Sequence, residues 1–165
     1  MIPSMRASCL AGGVLLLAAC RGKSDADTAP EFVEKFTRAC ADKDMDTVWT
    51  MFSQDTQTLY SSSAQAVLEN AKGNPTLAKR LKLDYDLAQE PDQIDAIAFA
   101  KIRLKKDHRT MLEAWGTARY ASENKDSGNT VVTVEIAGRG REDWTLIREK
   151  RYLRFDRPTS RLLVR

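Results

Sequence analysis

Apolar positions fall into three regimes along the chain. Residues 9–20 form one unbroken apolar run, Cys-Leu-Ala-Gly-Gly-Val-Leu-Leu-Leu-Ala-Ala-Cys. From Phe32 the spacing becomes helical. Phe32, Val33, Phe36, Ala39 and Cys40 recur at i, i+1, i+4, i+7 and i+8, one face of a helix. From about residue 109 the pattern turns toward alternation, strongest in Thr-Val-Val-Thr-Val-Glu-Ile-Ala at residues 130–137.

Polar punctuation divides these regimes into elements. Thr28-Ala-Pro-Glu31 has capping-box spacing with Pro in the first turn, and opens a first helix. A second runs over residues 44–52, with Met45, Val48, Trp49 and Phe52 on one stripe. Ser61–Ser63 opens a third, with Ser62 and Gln65 in capping-box spacing, and it closes near Gly73. Asn74-Pro75 restarts a short helical turn through Leu81. Pro91 opens a fourth helix to about Lys106, acidic at its start and basic at its end, as the helix dipole favours. Residues 111–121 alternate in part. Turns at 124–128 and 138–140 then bound the strong strand, and 143–155 reads as one long alternating strand. Residues 160–165 suggest a last short one. Helices first and strands last predict an α+β domain over residues 30–165. Its N-terminal helices pack on a curved, C-terminal antiparallel sheet of three or four strands.

The run at 9–20 is too short to span a bilayer, which takes about 20 apolar residues. With Arg6 before it and Arg-Gly-Lys-Ser-Asp after it, it has the length and flanks of a signal-peptide core. It ends in Leu17-Ala18-Ala19-Cys20, which resembles the bacterial lipoprotein box. That resemblance implies removal of residues 1–19, lipidation of Cys20 and a domain outside the cytoplasm in the bacterial cell envelope. Arg21 stands where Gram-negative lipoproteins retained in the inner membrane carry Asp, so in a Gram-negative envelope the outer membrane is favoured over the inner. Two or more acyl chains hold a protein stably on a bilayer, where one does so only marginally. Residues 20–29, rich in Asp, Ser, Gly and Lys, then read as the lipidated Cys and a flexible tether. Cys40 is left as a lone thiol on an apolar helix face, where free Cys behaves as a small buried hydrophobe.

The order of helices followed by long strands is carried by Phe32–Phe36 with Ala39, residues 44–52 with Trp49, the hairpin 120–136 and the strand through Trp144. It resembles the nuclear transport factor 2-like superfamily. The resemblance implies a cone-like α+β fold whose sheet curls around a pocket that holds a ligand, hosts catalysis or is filled. The plan alone does not choose among these.

Composition narrows the classes. With 165 residues, 42% hydrophobic and 30% charged, the chain suits one globular domain and neither a disordered nor a multi-span membrane protein. One His and three Cys leave no recognisable zinc site, and no cofactor or metal is expected. Asp42-Lys-Asp44-Met-Asp46 begins like a calcium loop, but Thr47 and Ser53 stand where that loop needs Gly and Glu. These Asp residues read instead as helix caps. Ser122-Glu-Asn-Lys125 lacks the companion motifs of the enzymes that use S-x-x-K. His108 is the one candidate imidazole base, Asp84-Tyr85-Asp86 carries paired carboxylates, and neither has a recognisable partner set. No catalytic residue is assigned.

Charge is divided unevenly. Residues 20–100 hold 9 Lys and Arg against 14 Asp and Glu, and residues 101–165 hold 16 against 9. On a continuous last strand, Trp144, Arg148, Lys150, Tyr152 and Arg154 share one face by period two, a candidate anion-binding row. A location outside the cytoplasm excludes nucleic acid. It leaves an anionic envelope component or an acidic protein as partner, beside the membrane held through the lipid. The expected function is a lipid-anchored, non-catalytic envelope protein that binds a small ligand or such a partner. A structural subunit with an exposed apolar sheet face and an enzyme using the cone pocket are the alternatives.

Overall fold

A computed structural model describes residues 25–126 and 128–156. Six helices precede a four-stranded sheet: α1 Ala29–Ala41, α2 Met45–Met51, α3 Gln54–Lys72, α4 Pro75–Tyr85, α5 Ala96–Asp107 and α6 Arg109–Trp115, then β1 Arg119–Asp126, β2 Asn129–Ile136, β3 Gly140–Glu149 and β4 Tyr152–Phe155. The strands pair antiparallel in the order β1-β2-β3-β4, an open meander with a bulge between Tyr120 and Ser122. The expected α+β class, helices leading into a curved antiparallel sheet, is what forms. No described helix is long and apolar enough to cross a membrane.

Helix α1 lies at the centre of this arrangement. It packs on β1 and β2, and on α2 and α6, while α3, α4 and α5 form a second helical group. Its apolar stripe is buried as the spacing requires: Phe32, Val33, Phe36, Ala39 and Cys40 are each at most 5% exposed. Gly116 permits the packing of α6 on α1, because a Cβ there would meet the Ala41 backbone at 3.1 Å.

Several boundaries differ from the sequence pattern, each for a local reason. Thr28 caps α1 by position but makes no side-chain cap bond, and Glu31 reaches back to the Asp27 N–H at 3.1 Å instead. Helix α3 starts eight residues before Ser62. Ser53 caps it by accepting from the Thr56 N–H at 3.1 Å, and the Ser53 hydroxyl also donates to Asp156 beside β4 at 2.8 Å. Helix α4 runs on to Tyr85, capped by Asn74. Pro91 opens only a 3-10 turn, and α5 starts afresh at Ala96. There Asp95 accepts from the N–H groups of Ile97 and Ala98. Residues 109–115, whose alternation was partial, are helical, with Leu112 and Trp115 buried three apart.

The long strand at 143–155 is a hairpin. β3 ends at Glu149, Lys150 and Arg151 turn, and β4 returns with Glu149 opposite Tyr152. Lys150 takes φ 58, a conformation that Gly ordinarily supplies in such turns, so the sequence there carries no turn signature. Asp25–Thr28, read from the sequence as part of a flexible tether, are docked on the domain. Ala26 is fully buried, and its carbonyl accepts from the Leu153 N–H at 2.8 Å. The expected strand at 160–165 and Cys20 lie outside the described residues.

Candidate functional site

The hollow of the sheet is filled by aromatic rings. Phe36 has five ring centroids within 5.4–6.1 Å: Phe32, Phe52, Trp115, Trp144 and Phe155. The indole N–H groups of Trp115 and Trp144 both donate to Oε1 of Glu142, at 3.3 and 3.1 Å. A packed interior of this kind leaves the pocket role to another surface. The opposite sheet face is largely polar: Thr133 donates to Asp143 at 2.7 Å and Arg141 pairs with Glu135 at 3.0 Å.

The basic row read from a continuous strand does not form, because the turn at Lys150 reverses the chain. Trp144 points into the core and is fully buried. Arg148 lies opposite Leu153 and donates to the carbonyls of Arg151 and Asp27. Lys150 sits in the turn itself. Tyr152 and Arg154 lie on the other face, with the Arg154 guanidinium 5.5 Å from the Tyr152 ring centre and 3.4 Å from the Asp25 carboxylate. The structure brings Tyr152 and Arg154 together, and separates them from Trp144.

The other sequence candidates resolve as follows. Asp44 caps α2, accepting from the N–H and hydroxyl of Thr47, and Asp46 pairs with Lys101 at 2.6 Å. Ser122 and Lys125 lie exposed on β1. Among the described residues, no group of three His, Cys, Asp or Glu side chains could hold a metal ion. His108 joins α5 to α6, and burial holds its imidazole below the usual His range. Its ring meets Tyr60 edge-on at 6.3 Å, and the Tyr60 hydroxyl is buried without a hydrogen-bond partner.

A groove that the sequence did not reveal opens where four helices end. It encloses about 750 Å³ between the C-terminal turns of α1, α4 and α5 and the start of α6. Cys40, Ile102 and Leu112 supply apolar lining, and charged side chains form the rim. Four carboxylates stand there, each with its own cation. Asp84 pairs with Arg80 at 3.3 Å, Asp86 with Lys106 at 2.8 Å, Asp107 with Arg103 at 3.3 Å, and Glu113 with Arg109 at 2.8 Å. The Tyr85 hydroxyl also donates to both oxygens of Asp107 at 3.0 Å. Burial, and then that anionic acceptor, push the Tyr85 phenol above its usual range.

Two rim cations remain. Lys43 and Lys105 have no ion-pair partner among the described residues. Both also line an adjoining cleft of about 590 Å³, as does Ile102, so the two hollows meet along this line. Lys43 takes φ 56 in the connection between α1 and α2. The sequence singled out Cys40, Asp84-Tyr85-Asp86 and the basic end of α5 separately, and the groove brings them together. They come from elements about 65 residues apart, which periodicity cannot join. No protein-family model matches the chain, and no curated protein or solved structure matches it either.

Proposed function

We propose that this chain is a bacterial envelope lipoprotein, anchored through Cys20, whose α+β domain is non-catalytic and binds a small amphipathic anion in the groove between α1, α4, α5 and α6. One observation carries the binding role: every rim carboxylate has a cation within 3.3 Å, while Lys43 and Lys105 line the same hollow with no close ion pair among the described residues, Lys43 acting on Glu113 only at longer range. An anion with an apolar body would complete that set, gaining charge attraction at the rim and burial against the partly exposed Ile102. The anchor rests on Leu17-Ala18-Ala19-Cys20 behind a short apolar run.

Binding is favoured over catalysis by the state of the nucleophile nearest the groove. Cys40 is 2% exposed, and burial pushes its thiol far above the usual range, so it stays protonated and unreactive at neutral pH. The aromatic filling of the sheet hollow favours the same reading over an enzyme using a cone pocket, and the helices-then-curved-sheet plan supports kinship with the nuclear transport factor 2-like superfamily. A largely polar outer sheet face weighs against a structural subunit that docks through it.

The test has two arms. Cys20→Ala should abolish incorporation of labelled fatty acid and release the chain from membranes. The released chain should bind an anilinonaphthalene sulfonate dye saturably, and Lys105→Glu should weaken it by about tenfold. Unchanged dye affinity in Lys105→Glu would remove the groove as the site.

A further inference from the structure

The first described residue is already bound to the domain. The Asp25 carbonyl accepts from Lys35 Nζ, and its carboxylate meets Arg154 at 3.4 Å. The Asp27 carbonyl accepts from Arg148 at 3.0 Å, and its carboxylate lies 3.8 Å from Arg151. As residue numbers rise from 25 to 27, their partners fall from 154 toward 151. The segment is therefore a short strap running antiparallel to β4.

The strap limits how far the domain can stand from an anchor at Cys20. Five residue steps separate Cys20 from Asp25, and a fully extended chain covers about 17 Å in that distance. The strap cannot peel away without breaking the bonds just named. Three acids around it are ion-paired: Asp25 with Arg154, Asp27 with Arg151, and Glu31 with Lys35 at 3.2 Å. Glu149 and Asp156 accept from the Gln54 N–H and the Ser53 hydroxyl, so acids and bases balance among the described residues there. Arg148 donates to backbone carbonyls, and Lys150 has no ion-pair partner among the described residues. The sequence between Cys20 and Asp25 adds Arg21 and Lys23 and no acid.

From these we infer that the β4 edge and the Lys150–Arg151 turn face the bilayer, and that Arg148 and Lys150 meet anionic lipid headgroups there. The inference rests on the lipid anchor proposed above and adds an orientation to it. Basic side chains within a Debye length of an anionic leaflet are attracted to it, and salt weakens the attraction. Helix α1 starts at the strap and ends at the groove. It is 13 residues long, so the groove lies about 20 Å along that helix from the strap.

The experiment uses the full chain, lipidated in cells and reconstituted into vesicles containing phosphatidylglycerol and a headgroup-attached quencher. A fluorophore is placed at Arg151→Cys, in the turn beside the two proposed cations and 73% exposed, or on α4 at Leu83→Cys, where the native side chain is 69% exposed. Cys40 is buried and stays unlabelled. Quenching should be several-fold stronger at position 151 than at 83. It should fall in phosphatidylcholine vesicles and at high salt. Equal quenching at the two positions, with lipid shown on Cys20, overturns the orientation and leaves the anchor standing. Strong quenching at 151 that ignores lipid charge and salt overturns the headgroup contact. Absence of lipid on Cys20 overturns the anchor and this inference together.

Discussion

Arg154 and Asp25 meet at 3.4 Å from opposite ends of the folded chain, with side chains only 15% and 18% exposed. The pair fastens the strap to β4, whose outer edge would otherwise show unpaired backbone groups. Ala26 covers the Leu153 N–H of that edge, and the Ser53 N–H covers the Phe155 carbonyl. Arg154→Ala should therefore cost about 1–3 kcal/mol, because it removes a charged partner from a partly buried carboxylate and loosens the strap. Urea unfolding checks the value, and protease nicking before residue 30 should rise in the variant.

Glu142 holds two tryptophans at once. Removing its carboxylate leaves the indole N–H groups of Trp115 and Trp144 without their shared acceptor at the margin of the aromatic cluster. Glu142→Ala should lower stability by about 2 kcal/mol and shift tryptophan emission. Glu142→Gln, which keeps an acceptor oxygen, should recover about half of that loss. Equal stability of all three proteins would mean that solvent replaces the carboxylate.

Lys43 has a backbone cost of its own. At φ 56 an L side chain is strained, and Gly is not. Lys43→Gly should raise stability by about 1 kcal/mol, while removing a rim cation and weakening binding of the sulfonate dye. Opposite signs in the two measurements would mark a residue kept for charge rather than for folding.

The imidazole of His108 is the only one in the chain. Burial lowers its pKa in the folded state, so the unfolded chain binds its proton at a higher pH. Its contribution to stability is thus fully present above the ordinary His range, near 6.5, and is lost as pH falls from there through the lower folded value. Urea midpoints at pH 7.5 and 5.5 should differ in the native chain. The difference should shrink in His108→Gln.

Cys40 should resist alkylation in the folded protein and react at once in denaturant, since burial keeps its thiol protonated. Iodoacetamide labelling followed by mass measurement reads this directly. Rapid labelling of the native chain would show that the groove floor opens.

The buried face of α1, the strand read at 130–137 and found at 129–136, and the Asp cap of α2 were legible because each is a local rule. A helix repeats near 3.6, a strand repeats at 2, and a capping side chain reaches three residues on. The start of α3 was not legible, because Ser53 is fixed partly by Asp156, 103 residues away. The β3–β4 turn was not legible either. Tertiary pairing pays the strain at Lys150, where no Gly or Asn announces it.

The sequence by itself determined the α+β class and the asymmetry between an acidic first part and a basic last part. Those follow from composition and period, which are properties of neighbours along the chain. Only the tertiary structure decided which cations remain unmatched. The presumed basic row dissolved once the chain reversed at Lys150 and buried Trp144, while Lys43 of the α1–α2 connection and Lys105 of α5 came together on a groove rim from positions far apart in sequence. Charge pairing depends on distance through space, and that distance is set by packing rather than by sequence order.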